Sequence, residues 1–275
     1  MKLFVSDLDG TLLNSNAKVS DNTKKILNDL IGSKGLKFTV ATARTPATAV
    51  PILEGIDINI PTVMMNGVVL YNLKEKKYLD IKSIDNTIVK KICGIFKQAK
   101  KDYFAYGIKD NKLVVYYRNM NRYEEKYYEE RCGSPLKTFI HVEDYDTDMV
   151  GAEIINFVVL DTYDNLKGIE EKLQKIEEVT VNLYEDLYGD GNFFMDVYNS
   201  NASKANAIKS ISERYLDGEK IIAFGDNIND IPMFEEADEC YAVENAADRL
   251  KKIATGIIGN HNDDAVAQYL RETFK

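Results

Sequence analysis

The stretch Lys2-Leu3-Phe4-Val5-Ser6-Asp7-Leu8-Asp9-Gly10-Thr11 decides how the rest of the chain is read. Lys2–Ser6 has the apolar run of a short buried strand, and it ends on two carboxylates separated by a single residue. Gly10 permits a sharp turn directly after them. In open α/β sheets ligands gather at the carboxyl ends of strands, so acids placed there stand where a site would be. One carboxylate can attack phosphorus while its neighbour moves a proton to the leaving oxygen. Taken alone, the same residues also describe a polar turn, since Asp and Gly are common turn formers.

The flanking sequence favours a sheet. Ser20 can cap a helix that carries Ile26, Leu27, Leu30 and Ile31 on one face, with Gly32 and Gly35 as stop signals. Lys37–Ala41 reads as a second buried strand, and Thr45-Pro46 supplies an N-cap followed by a helix-starting proline. Thr62–Met65 is a third strand, while Val68–Tyr71 and Tyr78–Ile81 form a hairpin around a lysine-rich turn. This βαβαβ rhythm predicts an α/β fold with a doubly wound parallel sheet.

The texture changes near residue 80. A helical pattern through Ile88, Ile92, Ile95, Phe96 and Ala99 leads to strands at Tyr103–Tyr106 and Lys112–Tyr117, then to a charged segment, Arg122–Arg131. A strand (Ile154–Leu160), a helix (Leu166–Ile176) and a strand (Val179–Tyr184) follow. Eleven of the 17 tyrosines fall between residues 80 and 190, which marks this part as a separate α+β unit. They can stack on a ligand ring or pack a core, and packing is the commoner use. Alternation resumes with Phe193–Tyr198, a helix over Ser203–Leu216, and strands at Ile221–Phe224 and Cys240–Val243. The expected organisation is a core made of residues 1–79 and 190–275, interrupted by an inserted domain over 80–189.

Bulk properties narrow the function classes. The 275 residues suffice for one large domain or two modest ones. A net charge of −9 argues against nucleic acid or anionic lipid as a partner, because either needs a basic face. The opening apolar run is too short for a signal segment, and no stretch approaches a membrane span. Cys93, Cys132 and Cys240 lie far apart and make no zinc-spaced cluster with His141 or His261. A reducing cytoplasm is the expected setting.

A second acidic string, Gly225-Asp226-Asn227-Ile228-Asn229-Asp230, again follows an apolar strand. With Asp7 it can complete a site for Mg²⁺, which takes few carboxylates and keeps room for waters and phosphate oxygens. By itself it is equally a pair of helix-capping acids. Between the two strings, Thr42 offers a hydroxyl donor at the end of the second strand. Lys204 offers a cation at a helix start. Either alone would more often be a solvated surface residue, but a lysine opposing the helix dipole hints that something else holds it.

The four segments, in this order, resemble the haloacid dehalogenase superfamily, and most of all its Cof-type phosphatases with a large inserted (C2-type) cap. Asp7-Leu8-Asp9-Gly10-Thr11-Leu12 is similar to the first family motif, Thr42 to the second, Lys204 to the third, and Gly225–Asp230 to the fourth. Asn66-Gly67 resembles a turn common in this subgroup, and Ala242-Val243-Glu244-Asn245-Ala246 and the run from Ile257 to Leu270 also fit. The resemblance implies a Rossmann-like core and a Mg²⁺-dependent phosphatase acting on small phosphorylated metabolites, sugar phosphates or phosphorylated cofactors. Asp7 would be nucleophile and metal ligand, and Asp9 the general acid/base with its carbonyl on the metal. Asp226 would be a ligand, and Asp230 a ligand through water or a support. Thr42, Lys204 and Asn229 would hold the phosphoryl oxygens, and the insert would close over the site and read the leaving group. Ala43, Ala205 and Ala265 stand where glycines are frequent, which removes no chemical group. A phosphotransferase or mutase on the same scaffold, a receiver-type switch, and a non-catalytic phosphometabolite sensor are the alternatives. Retention of both Asp7 and Asp9 disfavours the last two.

Overall fold

The computed structural model describes residues 2–186 and 191–274. In chain order the first elements are β1 (Lys2–Ser6), α1 (Asp21–Lys34), β2 (Lys37–Val40), α2 (Pro46–Leu53), β3 (Thr62–Met64), β4 (Val69–Asn72) and β5 (Lys77–Ile81). Next come α3 (Asn86–Gln98), β6 (Phe104–Lys109), β7 (Lys112–Tyr117), α4 (Arg122–Glu129), β8 (Lys137–His141), α5 (Tyr145–Asp148), β9 (Glu153–Asp161), α6 (Tyr163–Leu173), β10 (Val179–Glu185) and β11 (Phe193–Asn199). The chain ends with α7 (Lys204–Tyr215), β12 (Lys220–Gly225), α8 (Ile231–Glu236), β13 (Glu239–Ala242), α9 (Asp248–Lys251), β14 (Gly256–Ile257) and α10 (Ala265–Thr273). It divides into two compact units, residues 1–80 with 203–275, and residues 81–202.

The first unit is built on a parallel sheet in the order β14-β13-β12-β1-β2. A parallel bridge from Ala41 to Val63 adds β3 beyond β2. Leu3, Phe4 and Val5 of β1 are buried, as a central strand covered on both faces requires. Connections from β1 to β2 and from β12 to β13 leave the β1–β12 seam in opposite directions. Right-handed crossovers therefore put α1 and α8 on opposite faces, which is the doubly wound arrangement. The reversal falls between β1 and β12, so their carboxyl ends form the crevice where ligands bind in such sheets. Ser20 caps α1 by accepting from the Thr23 amide (2.9 Å), and Gly35, at φ 73°, ends it. Thr45 precedes Pro46 as expected, but its side chain caps no amide.

The inserted unit is a six-stranded sheet in the order β10-β11-β9-β6-β7-β8, antiparallel except for the parallel β7–β8 pair. Ile88, Ile92 and Phe96 of α3 and Leu166 and Leu173 of α6 pack with Phe157 and Val159 in its core. Four of the tyrosines in this unit, Tyr103, Tyr106, Tyr116 and Tyr145, are buried in packing. Tyr106 and Tyr116 are fully buried, and Tyr103 stacks on Tyr145 with centroids 4.1 Å apart. The charged segment after residue 121 is helix α4, whose capping box joins Asn121 and Glu124.

One boundary differs from the expected organisation. The junction at 189/190 lies outside the described residues, and the structure divides the chain at Ala202/Ser203 instead. Phe193–Asn199 pairs with β9 and β10, both of the insert, and so belongs to it rather than to the parallel sheet. Among the described residues, no helix is long and apolar enough to cross a membrane.

Candidate active site

The site is assembled at the ends of β1, β2 and β12. Asp7 leaves β1 with its amide bonded to the Phe224 carbonyl (2.9 Å), which ties the two neighbouring strand ends together. The chain then folds back in one tight turn, closed by the Leu13 amide on the Leu8 carbonyl (2.9 Å), with Gly10 at φ 73°. Gly10 has a second reason to be glycine, because a Cβ there would lie 2.4 Å from Asp226 Oδ2. The first acidic string can approach the second only if this position carries no side chain. Thr11 Oγ1 donates to Asp226 Oδ1 (3.2 Å) and orients that carboxylate.

Lys204, the first residue of α7, is 2% exposed and sits between two carboxylates. Its Nζ donates to Asp7 Oδ1 (2.6 Å) and to Asp230 Oδ1 (2.7 Å). These acids are what hold a lysine against the dipole of its own helix. Asp230 is wholly buried, and its Oδ2 accepts from the backbone amides of Asp226 (3.1 Å) and Asn227 (3.2 Å). Both of its oxygens are thus engaged, and it acts as the post that fixes Lys204 and the turn bearing Asp226.

Asp7, Asp226 and Asp230 each bring a carboxylate oxygen within 4.8 Å of the others. Three acids therefore face one ammonium. Burial pushes the Asp7 carboxyl up to about 8, and repulsion from Asp230 and Asp226 adds to it against the pull of Lys204. Burial and Asp230 push Asp226 up to about 6. Burial works against the charge on Lys204, yet Asp7 and Asp230 outweigh it and raise its value. An ordinary ion pair would lower its acid while raising its base. Asp7 moves the other way because its burial, with repulsion from Asp230 and Asp226 added, outweighs the pull of a single lysine. Such a pocket calls for a further cation, and hard oxygen donors suit Mg²⁺.

Thr42 is buried, and its Oγ1 accepts the Arg44 amide (3.1 Å). Asp9 turns from this cluster to Arg44, whose Nε donates to Asp9 Oδ2 (2.7 Å) and Nη2 to Asp9 Oδ1 (2.6 Å). Asn229 is exposed, and no hydrogen bond joins it to Asp7, Thr42 or Lys204 among the described residues. Three residues given no individual role on sequence grounds support the site. Arg44 clasps Asp9, Asn245 Nδ2 donates to the Gly10 carbonyl (2.8 Å), and His261 Nδ1 meets the Leu13 carbonyl (2.8 Å). Asn245 in turn accepts the His261 amide (3.2 Å), so the tail of the chain braces the loop after β1. For Arg44 the signal was its place two residues after Thr42. For Asn245 it was the motif-like run around it.

A family model of haloacid dehalogenase-like hydrolases matches residues 4–270. MG265 of Mycoplasma genitalium is 27% identical over 95% of each chain. YwtE of Bacillus subtilis, a 5-amino-6-(5-phospho-D-ribitylamino)uracil phosphatase, is 23% identical over 98% of this chain and 97% of its own. The crystal structure of TM0651 from Thermotoga maritima superposes with a TM-score of 0.79 at 25% identity, covering 98% of this chain and 96% of that one. Strand-end acids, buried lysine and full-length match agree: the chain belongs to the haloacid dehalogenase-like hydrolases, in their Cof-type phosphatase branch.

Proposed function

We propose that the chain is a Mg²⁺-dependent phosphatase that hydrolyses small phosphorylated metabolites, sugar phosphates or phosphorylated cofactors, through a phosphoaspartate on Asp7. The observation that carries this reading is Lys204, buried and bonded at 2.6 Å to Asp7 within a three-carboxylate cluster. Such an arrangement is poorly explained as structure, since gathering three acids, two of them buried, against one base is destabilising. It is well explained as a site that becomes balanced when a cation and a phosphate enter.

Asp7 and Asp226 would hold the metal, with the Asp9 carbonyl as a further donor and Asp230 as the support behind them. When bound, Mg²⁺ supplies neutralising charge that lets an anionic phosphate approach an anionic nucleophile. Asp7 attacks phosphorus, the ester P–O bond breaks, and Asp9 gives its proton to the departing alkoxide. Asp9, now a base, takes a proton from water. The water oxygen attacks phosphorus, the bond to Asp7 breaks, and inorganic phosphate leaves. Lys204 and Thr42 would bind the phosphoryl oxygens, and Asn229 would join them on substrate binding. The inserted unit is the proposed specificity domain. A polyol chain as leaving group agrees with the substrate named for YwtE.

Radiolabelled substrate tests the assignment. Asp9→Asn should slow turnover by about 10²–10⁴ and accumulate hydroxylamine-labile label if hydrolysis slows more than attack. Asp7→Asn should take up none. Labelled Asp7→Asn protein, or full turnover by wild-type protein stripped of metal, would overturn the reading.

A further inference from the structure

The reaction above makes no use of the Asn66-Gly67 turn, although it carries unusual backbone beside the phosphate-binding residues. Met65, Asn66 and Gly67 have φ of 53°, 55° and 94°, three consecutive residues in the left-handed region. Glycine takes that region freely and asparagine tolerates it, but for a buried methionine it is strained. Residues held this way cluster at functional sites. The surroundings hold the turn in place. The Met65 amide donates to the Arg44 carbonyl (3.0 Å) and the Asn66 amide to the Thr42 carbonyl (3.0 Å). A Cβ on Gly67 would lie 2.3 Å from the Ser203 carbonyl oxygen, so the turn also presses on the residue that caps the Lys204 helix. Asn66 is therefore fixed between the strand end bearing Thr42 and the helix start bearing Lys204.

The second observation is independent of the first. Among the described residues, the Asn66 Oδ1 atom is buried without a hydrogen-bond partner. A buried amide oxygen left unmet is costly, and in a native fold it asks for an explanation. Asparagine at positive φ ordinarily supports its own turn with that oxygen, and here it does not.

We propose that Asn66 is a substrate-binding residue whose Oδ1 accepts a hydrogen bond from a hydroxyl of the leaving group. It would select phosphate esters of sugars and polyols over esters that carry no hydroxyl donor. The inference rests on the phosphatase reading of Asp7, Thr42 and Lys204.

Asn66→Gly removes the amide and keeps a residue at home at φ 55°. The thermal midpoint should stay level or rise. On ribose 5-phosphate and glucose 6-phosphate, kcat/KM should fall roughly 10- to 100-fold. On phenyl phosphate and acetyl phosphate, which have no hydroxyl, it should change by less than about threefold. An equal fall on both classes would assign Asn66 a structural role and overturn the proposal, as would no change on either. Wild-type protein inert on both classes would instead overturn the phosphatase reading, and this inference with it.

Discussion

Replacing Asp7 by asparagine should abolish catalysis and yet stabilise the metal-free protein, by an amount that depends on pH. Asp7 is 6% exposed and faces Asp226 and Asp230 with Lys204 as the buried cation between them. Its carboxyl is raised from 3.8 to about 8 by burial and by those acids. At about 1.4 kcal/mol per pH unit, that displacement sets a ceiling of about 6 kcal/mol on the cost of carrying the charge. Relaxation of the pocket and entry of water bring the expected cost to about 2–3 kcal/mol. The folded value lies above the unfolded one, so the folded state binds the proton more tightly. The penalty is therefore absent below about pH 4, grows as pH rises, and is complete above about pH 8. Asparagine keeps an oxygen for Lys204 to donate to and carries no charge at any pH. In chelator, Asp7→Asn should match the wild type near pH 4.5 and exceed it by about 2–3 kcal/mol near pH 9. Excess Mg²⁺ should close much of that gap, because a ligand at one hundred times its Kd adds about 2.7 kcal/mol to the wild type and less to a variant lacking a charged ligand. The chain has no tryptophan, so urea unfolding is best followed by circular dichroism. An Asp7→Asn protein less stable than wild type at pH 9 without metal, or a gap that ignores pH, would refute the reasoning.

Lys204→Met removes the one buried cation that Asp7 and Asp230 share, so the metal-free protein should lose about 3–5 kcal/mol in the same unfolding assay. Arg44→Ala frees both oxygens of Asp9 and should lower kcat roughly tenfold on poor leaving groups. If Arg44 acts only through Asp9, adding the change to Asp9→Asn should cost nothing further, and an additive loss in that double-mutant cycle would count against the clasp.

The parts of the site that were legible in the sequence are those whose chemistry is written in short strings. Asp7-Leu8-Asp9-Gly10 and Gly225–Asp230 each join an apolar strand to a turn, and a parallel sheet brings such ends together whatever lies between them. The partner of Asp9 was not legible. Arg44 lies 35 residues away, and nothing in spacing says which carboxylate a guanidinium will clasp. The second domain junction was hard to read for a related reason. Phe193–Asn199 has a strand pattern that would serve either sheet, and strand periodicity specifies which face is buried but not which strand is the neighbour. Helix α4 was hidden differently, because its charged face masks the periodicity while its signal sits in the Asn121–Glu124 capping box.

Residues that break a local rule mark the candidate site more sharply than residues that obey one. Lysine at the first turn of a helix is electrostatically misplaced until Asp7 and Asp230 are seen to hold it. That violation could be read from the sequence, because the helix start was predictable from Ser203 and the sign of the charge is written there. The left-handed run through Met65 and Asn66 is a violation of the same kind. Met65 carries no sequence mark of it, since φ is imposed by bonds to Thr42 and Arg44 that depend on the neighbouring strand end. Charge misplacement is thus visible one residue at a time, whereas backbone strain becomes visible only when the partners that impose it are in place.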